Sequence, residues 1–196
     1  MNPPEARTDE ELMSAFRKGE SAAFDRLYLR HRTWLYNTLC RQLQDRSKAD
    51  DVFQETWFSL IRSAPRYEAK AKFSSWLYLL ARQRLVDEWR QFNPDIESAT
   101  FDTDADEADH PGMAHALADD SADPMHLLER QQNIAQLDLA ISSLPALQRE
   151  ALLLAEYSEM SLEEIATATG TTRETVKSRL RYARNKLVQL LTGVDR

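Results

Sequence analysis

The residues of this chain that could do chemistry are cationic and aromatic, and their spacing suits nucleic acid rather than bond making. On a helical wheel Arg173, Lys177, Arg181 and Arg184 line one edge of the stretch that follows Gly170, and Arg179 and Lys186 line the other. Glu174, Thr175, Ser178 and Asn185 lie between the two edges. Two cationic rails around a polar strip suit a helix in a DNA major groove, with the rails on phosphates and the strip near base edges. A second cluster, SAPRYEAKAKF, sets Arg66, Lys70 and Lys72 around Tyr67 and Phe73. Cations that hold a backbone beside rings that stack on bases suit a single strand. No His/Asp metal pair, nucleophile and base arrangement or glycine-rich phosphate loop is present, so the sequence implies a non-catalytic protein without cofactor or metal. The single Cys40 excludes an internal disulfide and reads as a buried small thiol.

These side chains need helices to present them. Ser161 with Glu164 three residues on is the spacing of a reciprocal N-terminal cap. Gly170 stands where a chain leaves a helix with positive φ, and Thr171 or Thr172 restarts one. Val176, Leu180, Ala183, Leu187 and Leu190 then fall on one stripe that must be buried. The pair reads as a helix-turn-helix. Glu174 either accepts from a cytosine amine or closes a capping box on Thr171.

Upstream, the periodicity predicts helices over Asp9–Lys18, from Ser21 as cap through Leu43, from Asp50 or Asp51 through Ser63, and over Ser74–Phe92. In the second of these His31 sits within the apolar stripe and reads as a core histidine. In the third, Val52, Phe53, Thr56, Trp57, Leu60 and Ile61 are expected inside, with Gln54 and Glu55 outside. The helix after Ser74 is apolar almost all round, so the Arg82, Gln83 and Arg84 that interrupt it need partners. Asn93-Pro94 ends the first unit. From Asp95 to Asp123 there are ten acidic residues and no Lys or Arg, and removing them from the net charge of -7 leaves +3. The acidity therefore belongs to a linker and not to the units that would meet DNA. Helices resume near Pro124 with Leu127, Ile134, Leu137, Ile141 and Leu144 on a stripe, and Pro145 opens a helix that reaches Tyr157. The absence of a signal peptide or a membrane-length apolar run implies a soluble, cytoplasmic protein without membrane insertion.

Two all-α units on an acidic tether, the second ending in a helix-turn-helix, resemble the bacterial sigma-70 family of RNA polymerase sigma factors, and within it the small extracytoplasmic-function members. ADDVFQETWFSL resembles region 2.2, FSSWLYLLARQRLVDEWRQ regions 2.3 and 2.4, and LPALQREALLLAEYSEMSLEEIATATGTTRETVKSRLRYARNKL region 4. The resemblance implies region 2 over residues 9–93, an acidic linker over 94–124 and region 4 over 125–192. It also implies that Asp51, Gln54 and Glu55 dock on the β′ clamp helices of core polymerase and that region 4 meets the β flap. Arg66, Tyr67, Lys70 and Lys72, with Arg82 and Gln83, would face the melted -10 strand. Thr172, Arg173, Glu174, Thr175, Lys177, Ser178, Arg179, Arg181 and Arg184 would face the -35 duplex. An anti-sigma factor is the implied regulator. Two positions depart from the family: Gln83 stands where Asn is common, and Glu159 near a usual Gly.

The expected function is promoter-directed transcription initiation, with duplex DNA held by the second unit and an unpaired strand by the first. The linker acids are expected to imitate RNA in the cationic cleft of the polymerase. The rival reading is a dimeric helix-turn-helix regulator that binds operator DNA without polymerase, its residues 1–93 forming a sensing bundle.

Overall fold

The computed structural model describes residues 7–92, 124–158 and 160–193. Among them are eight α-helices and no strand, in keeping with the all-α expectation. The acidic linker and Glu159 lie outside the described residues.

α1 (Asp9–Arg17) opens on a capping box in which Thr8 Oγ1 accepts from Glu11 N at 3.2 Å and Glu11 Oε2 accepts from Thr8 N at 2.9 Å. Three acids in its first turn complement the helix dipole. α2 (Ser21–Leu43) starts after Glu20, which makes no side-chain cap, so Ser21 is its first residue and not the cap expected. It ends on Gln44 in the left-handed region, with φ 57°. α3 (Arg46–Ser63) begins four or five residues before the expected start at Asp50 or Asp51, because Asp45 Oδ1 accepts from Ser47 N and Lys48 N at 2.9 and 3.2 Å. The apolar period does not register such a cap. A 3-10 turn over Ala64–Arg66 carries Pro65, and α4 (Phe73–Phe92) follows.

The first unit closes around Leu12, Leu27, Leu35, Leu39, Leu60, Phe73, Leu77 and Leu85, all fully buried. Each such side chain contributes about 1.5–3 kcal/mol. Trp57 sits edge-on to Phe24, Tyr28 and Phe53 at 5.8, 5.0 and 6.1 Å between ring centroids. Ile61, expected inside, is instead exposed beside Phe58. Cys40 is half-buried and not fully interior.

The second unit is α5 (Pro124–Ser142), α6 (Ala146–Tyr157), α7 (Leu162–Thr169) and α8 (Arg173–Thr192). Pro145 is the cap of α6 and not its first residue. Ile141 of α5 and Leu144 just after it are buried, whereas Ile134 is exposed. α6 packs on α2 and α7 on α4, which joins the two units along a seam. Buried residues of both run into one apolar cluster.

Candidate nucleic-acid interface

The helix-turn-helix is built by caps. Ser161 and Glu164 make both bonds of the expected capping box, at 3.2 and 2.7 Å. Gly170 takes φ 66° and its N–H returns to the end of α7. α8 is then capped by Thr172, whose Oγ1 accepts from Thr175 N at 3.1 Å. Glu174 therefore closes no box on Thr171; it forms ion pairs with Arg173 and Lys177 at 3.6 and 3.5 Å. Val176, Leu180, Ala183 and Leu187 are buried, whereas Leu190, expected with them, is 43% exposed.

The two expected rails are presented unevenly: Lys186 of the second is exposed, but Arg179 is not. Arg173 and Lys177 are exposed, with side chains 48% and 47% accessible, and Arg181 is half-buried. Arg184 reaches back to Glu156 Oε1 at 3.2 Å. Arg179 is the correction: it is 8% exposed, its Nε meets no hydrogen-bond acceptor, and burial lowers its pKa against the opposing charge of Glu150. The wheel set it on an edge of the polar face, but that edge of α8 borders the core stripe and turns toward Glu150 of α6. Thr175 and Ser178 are half-buried and Thr172 and Glu174 exposed, so the polar strip is open at its N-terminal end.

The loop before α4 forms a cleft of about 370 Å³ lined by Ser63, Arg66, Tyr67, Glu68, Lys70, Ala71 and Trp76. Arg66 and Lys70 are exposed at its mouth, and Lys70 pairs with Glu68 at 2.5 Å. Tyr67 is not an exposed stacking ring. It is 5% accessible, lies 4.8 Å from the Trp76 ring, and has its backbone carbonyl held by Arg17 Nη1 at 2.9 Å. Burial, with Glu10 and Asp9 nearby, pushes its phenol up to about 12, which keeps the hydroxyl protonated. The half-buried ring that the cleft offers is Trp76, which lies in the helix read from the sequence as apolar almost all round. Its neighbours in the loop, not its own periodicity, mark it out.

Arg82 and Gln83 follow on α4. Gln83 is exposed, but Arg82 is turned to the seam, where its Nε donates to Glu150 Oε1 at 2.9 Å. Lys72 also meets the second unit, at 3.8 Å from Glu164 Oε2. The six side chains expected to face one strand thus divide, with Arg66, Tyr67 and Lys70 at the cleft, Gln83 exposed, and Lys72 and Arg82 against the second unit.

On α3, Asp51 and Gln54 are exposed and Glu55 half-buried, near exposed Phe58 and Ile61. Arg62 donates to Glu55 in a short contact and Arg84 lies 3.4 Å from it, and the Arg62 bond in particular holds the Glu55 carboxyl below the usual range. Glu55 is therefore held ionised by arginines of its own unit, with Phe58 and Ile61 exposed nearby. Among the described residues no helix is long and apolar enough to cross a membrane.

Comparison with known proteins fits this geometry. The family pattern "Sigma-70 region 2" matches residues 27–93 and "Sigma-70, region 4" matches residues 134–187. The chain is 30% identical over 187 residues to RNA polymerase sigma-H factor of Pseudomonas aeruginosa, covering 93% of each protein. It is 28% identical over 193 residues to ECF RNA polymerase sigma factor SigM of Mycobacterium tuberculosis, covering 96% of this chain and 89% of that one. Its fold is similar to that of the sigma factor RpoE in complex with the anti-sigma factor NepR from Bartonella quintana, with a TM-score of 0.63, 25% identity, and coverage of 88% of this chain and 98% of that one. With both halves matched in order and nearly the whole length covered, this chain belongs to the sigma-70 family of RNA polymerase sigma factors, in its extracytoplasmic-function group.

Proposed function

We propose that this sigma factor binds core RNA polymerase in the cytoplasm and directs it to promoters without itself making or breaking a bond. Region 2 over residues 9–93 takes the melted -10 strand, residues 94–124 connect, and region 4 over 125–192 takes the -35 duplex. The observation that carries this reading is the pairing of an exposed cationic N-terminal turn on α8 with a cleft in the first unit bordered by Arg66, Lys70 and Trp76. The first suits phosphates flanking a major groove and the second an unstacked base, so one chain offers both a duplex site and a strand site. Asp51, Gln54, Glu55 and the apolar pair Phe58 and Ile61 supply the surface for the β′ clamp helices, and region 4 meets the β flap. An anti-sigma factor covers these surfaces when the regulon is off.

The rival reading, an operator-binding regulator, makes no use of a strand cleft or of the surface around Gln54. Purified chain added to bacterial core polymerase should yield promoter-specific transcripts from a genomic template library. Tight duplex binding without polymerase, and no transcript with it, would favour the rival.

A further inference from the structure

The loop that walls the strand cleft is fixed at both ends by a helix that does not line it. Glu10 Oε1 accepts from Phe73 N at 2.8 Å, and Arg17 Nη1 donates to the Tyr67 carbonyl at 2.9 Å. Glu10 and Arg17 both belong to α1, which precedes the residues 27–93 matched to region 2. Seven residues apart, they share one face of that helix to within about 20°. Between the two anchored residues, Glu68, Ala69, Lys70, Ala71 and Lys72 are all exposed, so the loop has no buried side chain between its ends.

The anchored residues are also the ones that seat the ring of the cleft. Trp76 lies 4.8 Å from the Tyr67 ring and 5.9 Å from the Phe73 ring between centroids, and both of those side chains are buried. A shift at either end of the loop therefore reaches Trp76. Phe73 N opens α4, where a first-turn N–H finds no partner within its own helix, and an anionic acceptor there also complements the helix dipole. α1 is docked on α2 by other side chains: Leu12 and Met13 are fully buried, and the Phe16 and Phe24 rings lie 5.2 Å apart. That apolar face holds the helix in place and leaves Glu10 and Arg17 to hold the loop.

We propose that Glu10 and Arg17 are positioning residues for the strand, fixing both ends of the loop 67–73 from α1 and so holding the cleft in the shape that accepts an unstacked base. The inference rests on the reading above, in which this cleft takes the melted strand. A loop ordered before its ligand arrives removes that ordering cost from binding. Each residue acts through a backbone group of the loop, not through the base. Charge alone predicts the opposite for Glu10, since removing an anion near a nucleic-acid site should tighten binding.

The test uses holoenzyme assembled from the full-length chain and bacterial core polymerase. Fluorescence anisotropy reads its binding to a labelled mixed-sequence pool of single-stranded oligonucleotides, and sequencing of the bound fraction reads its base preference. Glu10→Ala should weaken strand binding about five-fold or more, the low end of couplings between sites, and flatten the preference at the captured base. Glu10→Gln keeps an acceptor oxygen without the charge and should bind as wild type. Arg17→Ala should weaken strand binding more than Lys18→Ala, which removes the same charge from an exposed position at the end of the same helix. Duplex binding through α8 should be the same in all of them. Circular dichroism checks folding, and if Glu10→Ala unfolds the first unit, the comparison of Arg17→Ala with Lys18→Ala decides. Strand binding by Glu10→Ala as tight as wild type, Arg17→Ala no weaker than Lys18→Ala, or an equal loss on strand and duplex would overturn the positioning role. A wild-type holoenzyme that binds no strand would instead sink the reading of the cleft itself.

Discussion

His31 Nε2 lies 2.7 Å from Asp9 Oδ2, while His31 Nδ1 accepts from Trp34 Nε1 at 2.9 Å. An indole nitrogen only donates, so the imidazole proton sits on Nε2 and points at Asp9. The histidine in the apolar stripe of α2 thereby ties down the first turn of α1.

Asp9 makes that tie sensitive to acid. Burial pushes its carboxyl up, but the hydrogen bonds from His31 and Arg30 outweigh it and hold the pKa below the usual range. A carboxyl lowered on folding adds stability above its unfolded pKa and loses it as pH falls through the folded value. Wild type should therefore lose stability below about pH 4, the ordinary aspartate range, more steeply than Asp9→Asn. Urea midpoints from pH 6 to pH 3 would show equal slopes if the tie contributes nothing.

Gly170 holds φ 66° with open space around a would-be Cβ, so strain from substitution there is of backbone origin alone. Gly170→Ala should cost about 1 kcal/mol, the penalty of a left-handed non-glycine residue. Chemical denaturation measures it, and a neutral result would mean that the turn adapts.

On α8, exposed Lys177 and buried Arg179 should part company. Lys177→Ala should reduce the salt dependence of duplex binding by the holoenzyme by about 0.9 in log–log slope. Arg179→Ala should leave that slope in place and change the unfolding midpoint instead, since its side chain is 8% exposed beside Glu150. A drop in slope for Arg179→Ala would put that arginine on the phosphates.

The cleft makes a prediction about a ring. Trp76→Leu keeps an apolar group in α4 but removes the stacking surface, so strand binding by the holoenzyme should weaken by about 1–3 kcal/mol. Duplex binding through α8 should not change. Equal loss on both substrates would assign Trp76 to the core alone.

The helices, the turn at Gly170 and the cap at Ser161 were legible from the sequence, because each rests on a local pattern: a 3.6-residue period, a positive-φ position or a three-residue spacing. The same holds for the fall of the acids between Asp95 and Asp123, which separates two near-neutral units from their tether. Starts and ends set by side chains outside the period, such as Asp45 before α3, were not legible that way. Nor was the fate of individual charges. A wheel ranks residues by direction on one helix, and cannot tell that the direction of Arg179 ends at α6 or that the direction of Arg82 ends at Glu150, 68 residues further along the chain. Tyr67 and Trp76 make the same point, since both are aromatic and near basic residues, yet the fold turns Tyr67 inward and leaves Trp76 at the cleft. Local spacing determined what each helix could present, and packing between helices distant in sequence decided which of those side chains reach solvent.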